Sequence, residues 1–183
     1  MAYSRNGAVE LGPGVMAAEA PLQRLPNKIE SRNINGYAVS DVAEFELTAK
    51  VLAKKNYTFG READLSPTDL ALGWGNMSDE RVLQHIDISQ SNRFYFWRVN
   101  QFPIPRREIE THSANMHLIP GNPLVKRELK RVRKGDLIKI SGKLVNAMST
   151  TDNWYWLTSQ TRNDTGAGAC ELVWIDNLYI ITP

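Results

Sequence analysis

Over residues 44–53 the side chains alternate: Phe45, Leu47, Ala49, Val51 and Ala53 are apolar, while Glu44, Glu46, Thr48 and Lys50 between them are polar. Alternation with a period of two is the mark of a strand with one face in a core and one toward solvent, and it excludes an all-helical chain. Only Leu52 breaks the polar face. Residues 93–99 (RFYFWRV) are dense in aromatics and read as a second strand, ended by Pro103 and Pro105. Residues 116–119 form a shorter one. Further on, Leu124, Val125, Leu129 and Val132 recur at helical spacing between Pro123 and Gly135, which predicts a helix with one apolar stripe. Three more strands are predicted at about 136–146, 153–160 and 170–181.

The order β, β, β, α, β, β is that of an OB-like barrel. The expected fold is therefore mixed β with short helices (α+β): a small, partly open OB-like β-barrel with inserted helices and an N-terminal arm. An irregular α+β sheet packed on helices is the alternative. Residues 1–40 are rich in Gly, Ala, Pro and Asn and lack a sustained period, so they read as an extended or flexible arm, with 41–183 as the single barrel domain. Two inserted helices are expected. One is capped by Ser66 with Pro67 at its first position and stops at Gly73; the other begins at Ser78, Asp79 and Glu80.

Composition adds limits. The 183 residues carry 22 Lys and Arg against 20 Asp and Glu and are 42% hydrophobic, which is ordinary for a globular domain. No apolar run approaches the roughly 18–20 residues that cross a bilayer, and the first residues lack a signal-peptide core, so the chain reads as soluble. A single cysteine, Cys170, rules out an intrachain disulfide and a multi-cysteine zinc site.

Two strings are unusual. One runs from 56 to 75 (NYTFGREADLSPTDLALGWG) and the other from 112 to 120 (HSANMHLIP), with SQSNRFY at 89–95 between them. Together they resemble a family of uncharacterised bacterial proteins, over about residues 43–178. The family has no established activity. Its members often look exported or anchored at the inner membrane, so the resemblance implies the periplasm or the inner-membrane surface of a bacterium, and the cytoplasm is the alternative for a chain without an anchor.

Candidate chemistry centres on Arg61, Asp64, Arg93, His112 and Asn115, a potential polar site. Within four residues His112, Ser113 and Asn115 offer a base, a hydroxyl and an amide, and Arg61 or Arg93 can steady an anionic substrate, as a hydrolase would need. The bland reading makes the same residues a buried polar network that fixes a loop. No metal or cofactor is expected: His112 and His117 are five apart, on opposite faces of a strand, and His85 stands alone. Asp164, Thr165 and Gly166 match the aspartic-protease triplet, but that chemistry needs two such carboxylates, and the surroundings look like a hairpin loop in which Asp164 makes an Asx-turn.

Tyr95, Trp97, Trp154 and Trp156 are a candidate aromatic surface. Residues 1–92 hold nine bases and twelve acids, and residues 93–183 thirteen and eight, with six bases and one acid in 126–134 alone. A basic helix beside exposed aromatics would suit single-stranded nucleic acid; a charged outer helix face is the plainer account. The expected function is a binding or interaction module of the cell envelope, for an unknown protein or small-molecule ligand. The alternatives are a hydrolase with His112 as base and an OB-like nucleic-acid binder.

Overall fold

The computed structural model describes residues 7–164 and 169–182. Ten strands and four short helices follow in chain order: β1 (Leu22–Arg24), β2 (Ser31–Ile34), β3 (Tyr37–Asn56), α1 (Arg61–Leu65), β4 (Thr68–Gly73), α2 (Glu80–Leu83), β5 (Asp87–Ser91), β6 (Phe94–Arg98), α3 (Arg106–Thr111), β7 (Ser113–Pro120), α4 (Pro123–Arg131), β8 (Leu137–Ser149), β9 (Tyr155–Trp156) and β10 (Glu171–Ile180). None of the helices is long and apolar enough to cross a membrane.

The strand that the alternation predicted is the frame of the fold. β3 is 20 residues long and is bulged between Asp41 and Ala43 and again between Val51 and Ala53. A bulge bends a strand and increases its twist. So β3 pairs with β8 from Tyr37 to Lys50 and with β4 from Lys50 to Asn56. The neighbours β4, β7, β10 and β8 then close a ring on β3, with β7 and β10 parallel and the other pairs antiparallel. This is the OB-like order, partly closed, with α4 entering between the third and fourth ring strands.

Inside the ring lie Phe45, Leu47, Leu70, Leu72, Met116, Leu118, Ile138, Ile140, Val173 and Ile175, and Val125 and Leu129 from α4 and Val132 at its C-cap join them. The start of α4 is fixed locally: Asn122 Oδ1 accepts from Val125 N at 3.0 Å, and Pro123 supplies a preset first-turn φ. At its other end Lys54 Nζ donates to the carbonyls of Leu129, Lys130 and Val132, which have no partner within the helix.

The expected helix after Ser66 is replaced by β4. The Ser-Pro-Thr-Asp pattern is a local capping signal, but Thr68–Gly73 is buried on both faces between β3 and β7, and that pairing decides. The helical turn forms upstream instead, as α1. The expected helix at Ser78 is confirmed with Asp79 as its cap, accepting from Arg81 N. The strand expected over 153–160 shrinks to Tyr155–Trp156.

The N-terminal arm is extended and tied down. The amides of Leu11 and Gly12 donate to the Glu80 carboxylate at 2.7 and 2.8 Å, Gly14 N donates to Asp79 Oδ1, and Met16 and Ala17 amides donate to Ser78 Oγ. Lys50, almost wholly buried, closes on Glu80 at 2.6 Å. Burial pushes the Glu80 carboxyl up, but Lys50 and the arm amides outweigh it and hold the group below its ordinary value. Where the arm crosses residue 135, Gly135 has φ +89°, and a Cβ there would sit 1.9 Å from the carbonyl oxygen of Val9. Gly135→Ala is expected to cost about 1–3 kcal/mol through left-handed strain and displacement of the arm. Urea denaturation together with faster cleavage after Glu10 by a glutamate-specific protease would register it; an unchanged midpoint and unchanged cleavage would contradict it.

Candidate functional site

Alternation along β7 sends Ala114, Met116 and Leu118 into the ring and Ser113, Asn115 and His117 to its outer face, where β4 adds Asp69. In an OB barrel the outer face of the second and third strands commonly receives ligands. Here the protein covers that face with its own β5–β6 ribbon. The ribbon turns at Asn92 and Arg93, both left-handed at φ 50° and 71°, the geometry of a type I′ loop that usually takes Asn-Gly. A non-glycine in the second position is strained, and what holds it is its own side chain.

Arg93 NH1 donates to Asp69 Oδ1 at 2.7 Å and NH2 to the Ser66 carbonyl at 2.9 Å, while the guanidinium stacks on Tyr57 at 3.9 Å from the ring centre. Arg93 N donates to the Tyr57 hydroxyl. Asn115 Nδ2 donates to the Arg93 carbonyl at 3.0 Å, and its Oδ1 accepts from Gln90 at 2.7 Å. His117 Nδ1 lies 2.9 Å from Asp69 Oδ1 without meeting hydrogen-bond geometry. Beside it, Tyr95 and Ser113 share a hydrogen bond of 2.9 Å. Asp69 is 0% exposed beneath the ribbon, while Arg93 and His117 border, with Trp156 and Cys170, a cavity of about 390 Å³.

Of the five expected polar-site residues, the structure brings Arg93 and Asn115 together and places the other three elsewhere. Arg61 pairs with Asp152 at 2.8 Å and stacks on Trp154. The backbone carbonyl of Asp64 accepts from Asn35. His112 follows α3, its Nδ1 facing Glu108 O and Thr111 Oγ1, and its ring is the wall that Gly75 must clear. Neither Arg61 nor Arg93 is among the polar partners of His112. Asp69, His117, Tyr57 and Gln90 were not anticipated. The alternation of 113–117 was a readable signal for His117; Asp69 was hidden by the false helix start.

The four expected aromatics are half-buried: Tyr95 and Trp97 pack on Leu52, Met77 and Ile109 and also line the cleft beside β6, and Trp154 and Trp156 pack on Tyr37 and Val145. The opposite face of β6 is the open one, with Phe96 54% exposed and Phe94 and Phe102 beside it. These border a cleft of about 650 Å³ between β6 and the starts of β7 and β10, whose inner residues include Asn115, Arg162, Asp164, Cys170 and Glu171. Glu171 is 0% exposed, with Arg162 NH1 3.1 Å from its Oε1. Burial drives its carboxyl up to about 8; Arg162 opposes this and Asp164 adds to it. The Cys170 thiol is pushed up to about 12 by burial and the nearby Glu171 and Asp69, so it stays protonated at neutral pH and is no nucleophile. Asp164 Oδ2 accepts from Ser159; residues 165–168, with the rest of the protease-like triplet, lie outside the described residues.

Comparison with family models, curated proteins and solved structures finds no match to the chain.

Proposed function

We propose that this protein is a binding module that engages its partner in the cleft beside β6, and that its buried polar cluster is architecture. The observation that carries this reading is a contrast in burial: Asp69, Asn115 and His117 keep 0–3% exposure, whereas Phe94, Phe96 and Phe102 stand exposed around a cleft of about 650 Å³. A concave apolar surface with a few polar groups on its floor is what a ligand site needs. A hydrolase reading is less well supported, because His112 contacts neither Arg61 nor Arg93 and Cys170 is held as a thiol. Nucleic acid is favoured by one observation, the placement of Arg98 and Arg106 beside exposed aromatics; but Asp87 and Glu110 already hold those bases, and the bases of α4 do not line the cleft. A setting in the bacterial cell envelope is proposed on the resemblance alone.

The test is a two-dimensional NMR titration with neutral aromatic fragments and, separately, a short oligothymidylate at low salt. Fragments are expected to move the signals of 94–99 and 170–171, and Phe96→Ser is expected to weaken them about tenfold or more. Fragment shifts that ignore Phe96→Ser would overturn the reading, and a salt-sensitive oligonucleotide response on the same residues would replace it with the nucleic-acid one.

A further inference from the structure

The wall of the cleft is a strand edge. Six consecutive residues, 94–99, line it, although their side chains point alternately to opposite faces of the ribbon. A wall that touches both faces in turn is the backbone itself. The register fixes which groups it presents. Ser91 and Phe94 flank a two-residue loop and so exchange hydrogen bonds, and so do Ser89 with Phe96 and Asp87 with Arg98. The intervening residues, Tyr95 and Trp97, turn their N–H and C=O groups away from β5. Among the described residues β6 pairs with no strand but β5, and no other backbone group bonds to Tyr95 or Trp97.

Resting on the binding-module reading, we propose that the cleft receives an extended peptide segment of a partner protein, which adds as a third strand to the free edge of β6. Only a strand supplies donors and acceptors at the two-residue spacing of Tyr95 and Trp97. Natural edges are usually blunted by charge, proline or a bulge. This one instead displays Phe94 and Phe96, with Arg98 its single charge. Alternate side chains of the incoming strand would pack on Phe96 and Phe102. Charge narrows the partner further. Around the cleft Arg98, Arg106 and Arg162 are matched in number by Asp87, Glu110 and Asp164, because burial keeps Glu171 largely protonated at neutral pH. No charge is left over, so the fitting segment is neutral, with alternating apolar residues.

The test uses seven-residue linear peptides selected by display on the full chain. Selected sequences are expected to alternate apolar residues and to carry no net charge, and to lose about tenfold or more in affinity on Phe96→Glu and on N-methylation of the amides that pair with the edge. Bound peptide should slow amide exchange at Tyr95 and Trp97 and leave Phe94 and Phe96 as they were. Peptides that need Phe96 but tolerate every N-methylation would overturn strand addition and leave the binding-module reading standing. Peptides indifferent to Phe96→Glu, or the absence of any selected binder, would overturn both. Concentration-dependent protection of the edge without peptide would make a second copy of the chain the occupant and overturn the partner assignment.

Discussion

Asp69→Ala is expected to destabilise the protein by about 3–5 kcal/mol, the usual result of removing one member of a buried ion pair. Asp69 has no exposed surface and faces Arg93 at 2.7 Å, His117 at 2.9 Å and Asn115 at 3.4 Å. Without it the Arg93 guanidinium remains beneath the ribbon with only the Ser66 carbonyl as a hydrogen-bond acceptor. The left-handed turn at Arg93 then loses the anchor that holds it. Asp69→Asn keeps the shape and one acceptor and should cost less. Urea denaturation of both variants checks the order. An Asp69→Ala protein as stable as the parent would show that the cluster is not what docks the ribbon.

Glu171 gives the second large effect, in the opposite pH direction from most carboxylates. Its pKa rises from 4.5 to about 8 on folding because the side chain is buried, despite Arg162. Folding therefore takes up a proton between those values. The stability this confers is whole below pH 4.5 and drains as pH climbs through 8, at roughly 1.4 kcal/mol per pH unit. The groups facing Glu171 are Arg162 and Asp164 from the segment before β10, together with Cys170 and Tyr95, both of whose pKa values are raised and which stay neutral over this range. The parent is expected to lose roughly 4 kcal/mol from pH 5 to 8 through this group, and Glu171→Gln should flatten that slope and be the more stable protein at pH 9. Denaturation midpoints across that range decide it. Equal slopes in the two proteins would mean that Glu171 is ionised throughout, held by Arg162.

Much of the architecture was legible because it rests on patterns that survive in a single sequence. The alternation of Phe45, Leu47, Ala49 and Val51 marked the frame strand, and Asn122, Pro123 and the apolar stripe of α4 marked the one sizeable helix. The order of these elements was enough for an OB-like barrel. β4 was not legible, since a strand buried on both faces shows no alternation and Ser66-Pro67-Thr68-Asp69 imitates a helix start. The candidate site was half legible. Arg93 and Asn115 stood out in the odd strings, but their true partners, Asp69 and His117, come from strands that only the ring brings together. The exposed side of β6 could not be chosen from alternation, which gives two faces and not which of them meets the barrel; Phe94 and Phe96 proved to be outside.

Site-resolved amide hydrogen exchange on the free, full chain tests the account most directly, because the sealed face and the open edge predict opposite behaviour a few residues apart. Slow exchange is expected at Phe94, Phe96 and the amides of β7, and fast exchange at Tyr95 and Trp97. Protection at Tyr95 and Trp97 equal to that at Phe96 in the monomer, or rapid exchange along β7, would contradict it.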